Sequence, residues 1–89
     1  MPKHIVLVAT LDTKELEAAY VKDLIESRGH IPVVVDCGIM KDPAFEPAVS
    51  RHAVAKAANT TIEEILKTRD KNLAIGTMTQ GAVETAKTL

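Results

Sequence analysis

The stretch His4-Ile5-Val6-Leu7-Val8-Ala9 decides how this chain folds. It is almost wholly apolar and rich in β-branched residues, which is the pattern of a strand buried on both faces of a parallel sheet. A second stretch of the same kind is Ile31-Pro32-Val33-Val34-Val35-Asp36-Cys37. Pro32 is tolerated because it lies among the first residues of the strand. The two stretches predict neighbouring parallel strands.

The segment between the two strands predicts a helix over residues 14–28. Apolar residues recur there at helical spacing, on one face: Leu16, Ala19, Tyr20, Leu24 and Ile25. Asp12 and Glu15 have the spacing of a capping box, and Gly29 stands where a left-handed C-cap is expected. Strand, helix and strand together predict a right-handed parallel βαβ unit.

The rest of the chain predicts a loop and then helices. Residues 38–47 contain the loop markers Gly38, Pro43 and Pro47. Helix caps are predicted at Ser50, for a helix that ends near Ala58, and at Thr60 or Thr61, three residues before a glutamate. From Asp70 a longer helix runs to the end, and its apolar stripe comprises Ile75, Met78, Ala82, Ala86 and Leu89. Gly76 and Gly81 indicate either close packing or a helix that is weak in isolation.

These elements define an α/β fold class, namely a three-layer Rossmann-like fragment in which one parallel βαβ unit precedes two or three helices. A two-stranded sheet is marginal alone, and its unpaired edges invite pairing with another chain. We therefore expect residues 1–89 to be the N-terminal part of a larger domain, which self-associates or docks with the remainder of the protein. The alternative is a small domain whose own helices cover the sheet edges.

Composition excludes several classes of function. The 89 residues carry a net charge of -1 and only 2% aromatic residues, so neither a basic nucleic-acid surface nor a base-stacking platform is available. No apolar run is long enough for a membrane span. A single cysteine excludes an intrachain disulfide and favours a reducing compartment. We expect a cytoplasmic protein without nucleic-acid or membrane partners.

Candidate chemistry lies after the two strands, because parallel α/β sheets bind ligands beyond the carboxyl ends of their strands. Thr10, Asp12, Thr13 and Lys14 follow the first strand, and residues 36–38 follow the second. The first group opens a helix, whose free N–H groups and dipole favour an anion. Together the two groups predict a nucleotide or phosphorylated ligand. In the alternative interpretation, Asp12 or Thr13 only caps the helix and Lys14 is solvated.

Cys37 is a weaker candidate, as the nucleophile of a small thiol enzyme. The neighbouring Asp36 carboxylate disfavours the thiolate that such chemistry needs. His4 and His30 begin their strands and therefore lie at the opposite edge of the sheet. An inert strand-end cysteine is the favoured interpretation, and the histidines show no spacing typical of a zinc site.

Three motifs carry a resemblance to a known family. Residues 9–14 (ATLDTK), 36–38 (DCG) and 45–47 (FEP, shortly before Ser50) occur in the order and spacing of the ATP-binding family named after the tobamovirus resistance protein. The chain resembles that family over essentially its whole length. It departs from the family pattern at Ala9, where the family has glycine, and at Ala48, where the family has aspartate.

The resemblance implies the N-terminal part of a nucleotide-binding α/β domain that takes ATP, with or without Mg²⁺. Thr10, Asp12, Thr13 and Lys14 would contact the nucleotide, with Asp36 and Gly38 behind them. Family members are several times longer and add a glycine- and serine-rich phosphate loop, so this chain would hold an incomplete site and would not be a complete enzyme. The alternative is a structural or self-association module without a ligand of its own.

Overall fold

A parallel strand pair forms the centre of the chain, as predicted. The computed structural model describes residues 2–89 and contains six elements in the order β1 (His4–Ala9), α1 (Leu11–Ser27), β2 (Ile31–Asp36), α2 (Arg51–Ala57), α3 (Ile62–Thr68) and α4 (Lys71–Thr88). The strands pair in parallel, from His4 opposite Ile31 to Ala9 opposite Asp36. The α/β fold and the βαβ unit are therefore confirmed.

The two edges of this sheet differ. On the β2 side, Val49 forms a short parallel bridge with Val35. The Asp36 N–H donates to the Val49 carbonyl at 2.9 Å, and the Val49 N–H donates to the Val34 carbonyl at 3.0 Å. On the β1 side, no strand within residues 2–89 pairs with the outer edge of β1. One edge is thus partly closed by the chain itself, whereas the other is open.

The prediction of which face of α1 is buried is wrong. Leu16 and Tyr20 are 83% and 70% exposed, whereas Leu11 and Ala18 are buried against Val34. The same side of α1 carries Glu15, which accepts a hydrogen bond from the Ala44 N–H at 2.6 Å. Helix α1 therefore packs on the sheet with the face that can also form hydrogen bonds to the loop after β2. An apolar spacing rule cannot detect that requirement.

The beginning of α1 also differs from the prediction. The helix begins at Leu11 rather than near residue 14, and the backbone of Lys14 departs from helical geometry (φ -121°, ψ 26°). Thr10 occupies the N-cap position without a side-chain cap bond, so the predicted Asp12–Glu15 capping box is wrong. Gly29, in contrast, adopts the predicted left-handed conformation with φ 79°.

The later helices begin at the side chains that the sequence indicates. Ser50 accepts from the Ala53 N–H, Thr61 from the Glu64 N–H and Asp70 from the Leu73 N–H, at 3.1–3.2 Å. The buried face of α4 is rotated from the expected stripe, because Ile75 and Leu89 are about half exposed. The buried positions of that helix are Ala74, Met78, Gly81, Ala82 and Thr85.

The main core lies between β2 and these helices. Val35 and Val54 are almost completely buried, and Ile65 and Met78 pack in the same cluster. Helix α4 approaches α2 closely at Gly81, where an added Cβ would lie only 2.1 Å from the Val54 carbonyl oxygen. Gly81 is therefore a packing glycine, which is one of the two interpretations the sequence offered.

Gly81→Ala should destabilise the protein by about 2 kcal/mol, because a backbone atom that cannot move aside occupies the space of the new methyl group. Gly76→Ala is the matched control in the same helix, since an added Cβ there meets nothing within 4 Å. It should stabilise the protein by about 1 kcal/mol through helix propensity. Urea unfolding followed by circular dichroism measures both, and equal effects would contradict the packing shown by α2 and α4.

Candidate functional site

The carboxyl ends of β1 and β2 are joined by a buried carboxylate. Asp36 is 0% exposed, and its Oδ1 accepts hydrogen bonds from the Leu11 N–H at 3.3 Å and the Gly38 N–H at 2.8 Å. One oxygen therefore holds both the first residue of α1 and the first turn after β2. Oδ2 is buried and has no partner among the described residues.

A second carboxylate holds the loop that follows. Asp12 Oδ2 accepts hydrogen bonds from the Ile39 and Met40 N–H groups, each at 3.0 Å. Gly38 lies between the two carboxylates, and an added Cβ would come within 2.9 Å of Asp12 Oδ1 and 3.0 Å of Asp36 Oδ1. The absence of a side chain at Gly38 is what allows both aspartates to approach the same turn.

The two aspartates have opposite electrostatic character. Burial raises the pKa of Asp36, and the bonds from Gly38 and Leu11 offset this only in part. Partial burial also acts to raise the pKa of Asp12, but the N–H groups of Ile39 and Met40 outweigh it and hold the pKa below its usual value. Asp12 is thus stabilised as the anion, whereas Asp36 pays a desolvation penalty for its charge.

These turns form one wall of a cleft of about 600 Å³. That wall contains Thr10, Asp12, Thr13 and residues 37–40, and the opposite wall is the corner between α3 and α4. The corner supplies an apolar surface, comprising Ile65, Leu66, Ala74, Ile75 and Met78. It also supplies three charged residues, the cations Arg69 and Lys71 and the carboxylate of Asp70 between them. This volume lies within the range of small-molecule sites, roughly 300–1,000 Å³.

The structure brings most of the predicted site residues to this cleft. Thr10, Asp12, Thr13 and Gly38 line it directly, and the Thr10 and Thr13 hydroxyls lie 3.2 Å apart. Asp36 is buried beneath Gly38 rather than presented to the cleft. Lys14 is exposed and does not line the cleft.

Three of the first four N–H groups of α1 are already occupied, which leaves less for an anion than the sequence suggests. The Leu11 N–H is bonded to Asp36, and the Thr13 and Lys14 N–H groups donate to the Thr10 carbonyl at 3.1 and 2.8 Å. The anion beside this helix end is the protein's own Asp36 carboxylate. An anionic ligand would therefore need charge from elsewhere in the cleft.

The cations that could supply this charge are Arg69 and Lys71, which the sequence reasoning missed. They follow α3 and begin α4, far along the chain from both strands. Arg69 adopts a left-handed conformation (φ 55°), which is uncommon for a residue other than glycine. That conformation is a local sign of a sharp corner, but only the tertiary packing shows that the corner faces the strand ends.

A third group of contacts fixes the far end of the loop. The Arg51 guanidinium donates to the Ile39 carbonyl and, at 2.8 Å, to Asp42 Oδ1. His52 Nε2 lies 3.4 Å from the same oxygen. The hydrogen bond from Arg51 holds the pKa of Asp42 below its usual value. These residues border a smaller cleft of about 340 Å³ beneath the loop.

Cys37 lacks the features of a nucleophile. Burial and the adjacent Asp36 carboxylate raise the pKa of its thiol, as the sequence predicts. His52 is engaged with Asp42, and His30 Nδ1 accepts a hydrogen bond from the Lys3 N–H at the amino ends of the strands. Within residues 2–89, no group of three or more His, Cys, Asp or Glu side chains could hold a metal ion. None of the helices in this range is long and apolar enough to cross a membrane.

Fold and site define a βαβ unit whose strand ends and later helices enclose a cleft. The chain belongs to an uncharacterised protein family, UPF0261, whose N-terminal domain matches residues 3–89. An uncharacterised family and an N-terminal position agree with the expectation from sequence. The match to this uncharacterised family supports neither the tobamovirus-resistance label nor ATP binding, so that part of the resemblance stays a prediction.

Relatives from several bacteria carry the same family name. Proteins from Brucella suis and Brucella melitensis are each 40% identical to this chain over 79 residues, which cover 89% of the chain and 19% of the relative. A Clostridium tetani protein is 33% identical over 89 residues, covering 100% of the chain and 22% of the relative. The chain thus spans about a fifth of the length of these relatives. No solved structure matches it.

The two aspartates should affect stability with opposite pH dependence. The pKa of Asp12 is lowered by folding, so its contribution is present above the pKa of an exposed aspartate, about 3.9, and is lost as the pH falls through the folded value. The pKa of Asp36 is raised, so its contribution is greatest at low pH and falls as the pH rises through the folded value. Relative to wild type, Asp12→Asn should therefore lose stability as the pH rises from about 2 to about 5, whereas Asp36→Asn should gain stability as the pH rises from about 4 to about 7.

Urea unfolding of the two variants and the wild type from about pH 2 to about pH 7 covers both windows and measures both slopes. Each variant keeps the size of the side chain and an acceptor oxygen, so the difference in slope reports the charge. Slopes of the same sign would contradict the assignment of Asp12 as the hydrogen-bonded anion and Asp36 as the desolvated one.

The Cys37 thiol should react slowly with iodoacetamide at pH 7.5, because its raised pKa leaves little thiolate. We expect the alkylation rate of Cys37, measured by mass spectrometry, to be on the order of ten times below that of glutathione. Asp36→Asn removes the adjacent charge and should increase the rate. A wild-type rate above that of glutathione would restore the thiol-enzyme hypothesis.

Proposed function

We propose that this chain supplies part of a nucleotide-binding site, with ATP as the ligand, in the cleft between the strand ends and the α3–α4 corner. The observation that carries the proposal is the composition of that cleft. Threonine hydroxyls lie on one wall, and an apolar surface with two cations and the Asp70 carboxylate lies on the other. An adenine ring needs apolar contact, and a phosphate chain needs donors and positive charge.

Thr10 and Thr13 would donate hydrogen bonds to the phosphates from the end of β1. Their hydroxyls are 3.2 Å apart and both side chains line the cleft. Arg69 and Lys71 would neutralise phosphate charge from the opposite wall. This assignment differs from the sequence prediction, in which Lys14 carried that role, because the Lys14 side chain does not line the cleft.

Asp12 and Asp36 would act through the backbone rather than on the nucleotide. The Asp12 oxygen that accepts from Ile39 and Met40 fixes one wall of the cleft, and Asp36 fixes the turn at Gly38 beneath it. Their negative charge, together with that of Asp70, opposes phosphate binding. The site would therefore depend on Arg69 and Lys71, and on Mg²⁺ if the ligand brings it. The resemblance to the tobamovirus-resistance ATP-binding family supports the same proposal from sequence.

A structural module without a ligand of its own is the second candidate function. The specific observation that favours it is the exposed apolar surface of β1 and α1, including Val6, Val8, Leu16 and Tyr20. The occupied N–H groups at the start of α1 also favour it over an anion site at that helix end. Failure of the nucleotide test below would leave this candidate.

A backbone amide NMR titration with Mg-ATP tests the proposal. We expect saturable shifts at Thr10, Thr13, Gly38, Arg69 and Lys71, which line the cleft. Lys71→Ala should weaken binding about tenfold, as expected from losing one charge-assisted contact of about 1.4 kcal/mol. Lys56→Ala is the matched control, because Lys56 is exposed on α2 and lies outside the cleft.

Two results would count against the proposal. A well-dispersed spectrum without saturable shifts at millimolar Mg-ATP would remove the nucleotide assignment and leave the structural module. Equal weakening by Lys71→Ala and Lys56→Ala would show that the nucleotide follows overall charge rather than the cleft. Lys14→Ala, measured in the same series, decides whether the sequence prediction or the cleft identifies the cation.

A further inference from the structure

The open edge of β1 presents a regular row of backbone groups. The Ile31 N–H donates to the Lys3 carbonyl, and the Cys37 N–H donates to the Ala9 carbonyl. Because the backbone groups of successive strand residues point to opposite sides, the odd-numbered residues of β1 bond to β2. His4, Val6 and Val8 therefore direct their N–H and carbonyl groups to the open edge. Within residues 2–89 no strand pairs there.

Apolar side chains accompany this row. Val6 and Val8 are 43% and 47% exposed, although they lie in the middle of a strand whose composition is typical of one buried on both faces. Their partners across the register, Val33 and Val35, are more buried, and Val35 is 1% exposed in the main core. The core therefore covers the β2 half of this face and leaves the β1 half uncovered.

The row also lacks the features that block edge pairing. Strand β1 pairs with β2 in one continuous register from His4 to Ala9, without a bulge. Residues 4–9 contain no lysine, proline or acidic residue. Natural edge strands that remain unpaired usually carry such residues or a bulge. On the other side of the sheet, the Val49 bridge already takes up part of the β2 edge. An added strand would therefore pair with β1.

We propose that the β1 edge binds one parallel strand supplied by the additional sequence of the longer family members. The relatives provide this sequence, because the matched region covers only 19–22% of their length. A parallel strand suits the existing β1–β2 pair, and its side chains would cover Val6 and Val8. This inference concerns assembly and does not depend on whether the cleft binds a nucleotide.

Amide hydrogen exchange at single-residue resolution tests the proposal. Two proteins are compared: the 89-residue chain, and a fusion in which this chain replaces the matching segment of the Clostridium tetani relative. Leu7, whose amide faces β2, is the internal reference. In the 89-residue chain, Val6 and Val8 should exchange quickly. In the fusion they should slow on the order of a hundredfold and approach Leu7.

Every other outcome overturns the proposal. If Val6 and Val8 exchange quickly in the fusion while Leu7 is protected, no strand pairs at this edge. If they are already protected in the 89-residue chain and lose protection on dilution, a second copy of the chain occupies the edge instead. If the fusion does not fold, amide exchange is measured in the first strand of the unmodified Clostridium tetani protein. Fast exchange there at the amides that correspond to Val6 and Val8 would contradict the inference equally.

Discussion

The arrangement of this domain depends on the Asp36 carboxylate at the end of β2. One of its oxygens accepts from the first residue of α1 and from Gly38, so it fixes where the helix begins and where the next loop turns. Because Asp36 is completely buried, these bonds form away from water, and the loss of either would leave a buried N–H unsatisfied. Asp12 and Glu15 extend the same arrangement by accepting from Ile39, Met40 and Ala44. The loop is thus held by side chains, without secondary structure of its own.

Only part of this structure could be predicted from the sequence. Strands β1 and β2, the left-handed Gly29 and the caps at Ser50 and Thr61 follow from local patterns, because their determinants lie within a few residues of one another. The roles of Asp12 and Glu15 could not be predicted in this way. Their spacing is that of a capping box, but their partners lie 27–29 residues further along the chain. In the structure, Asp12 and Glu15 form these long-range hydrogen bonds instead of the local bonds of a capping box.

The same limit applies to the faces of the helices and to the cleft. Leu16 and Tyr20 satisfy the helical spacing of a buried stripe, yet the loop after β2 requires the opposite face of α1. Thr10, Asp12, Thr13 and Gly38 were found because strand ends share one edge of a sheet. Arg69 and Lys71 were not, because only the packing of α4 on α2 brings their corner to that edge.

The central claim is that two aspartates divide the task of holding the loop, and exchange of three neighbouring amides in Asp12→Ala tests it most directly. The account predicts that the Ile39 and Met40 amides lose their protection in this variant, because Asp12 Oδ2 is their acceptor. The Gly38 amide should keep its protection, because its acceptor is Asp36. Unchanged protection at Ile39 and Met40 would contradict the account, as would equal loss at all three amides.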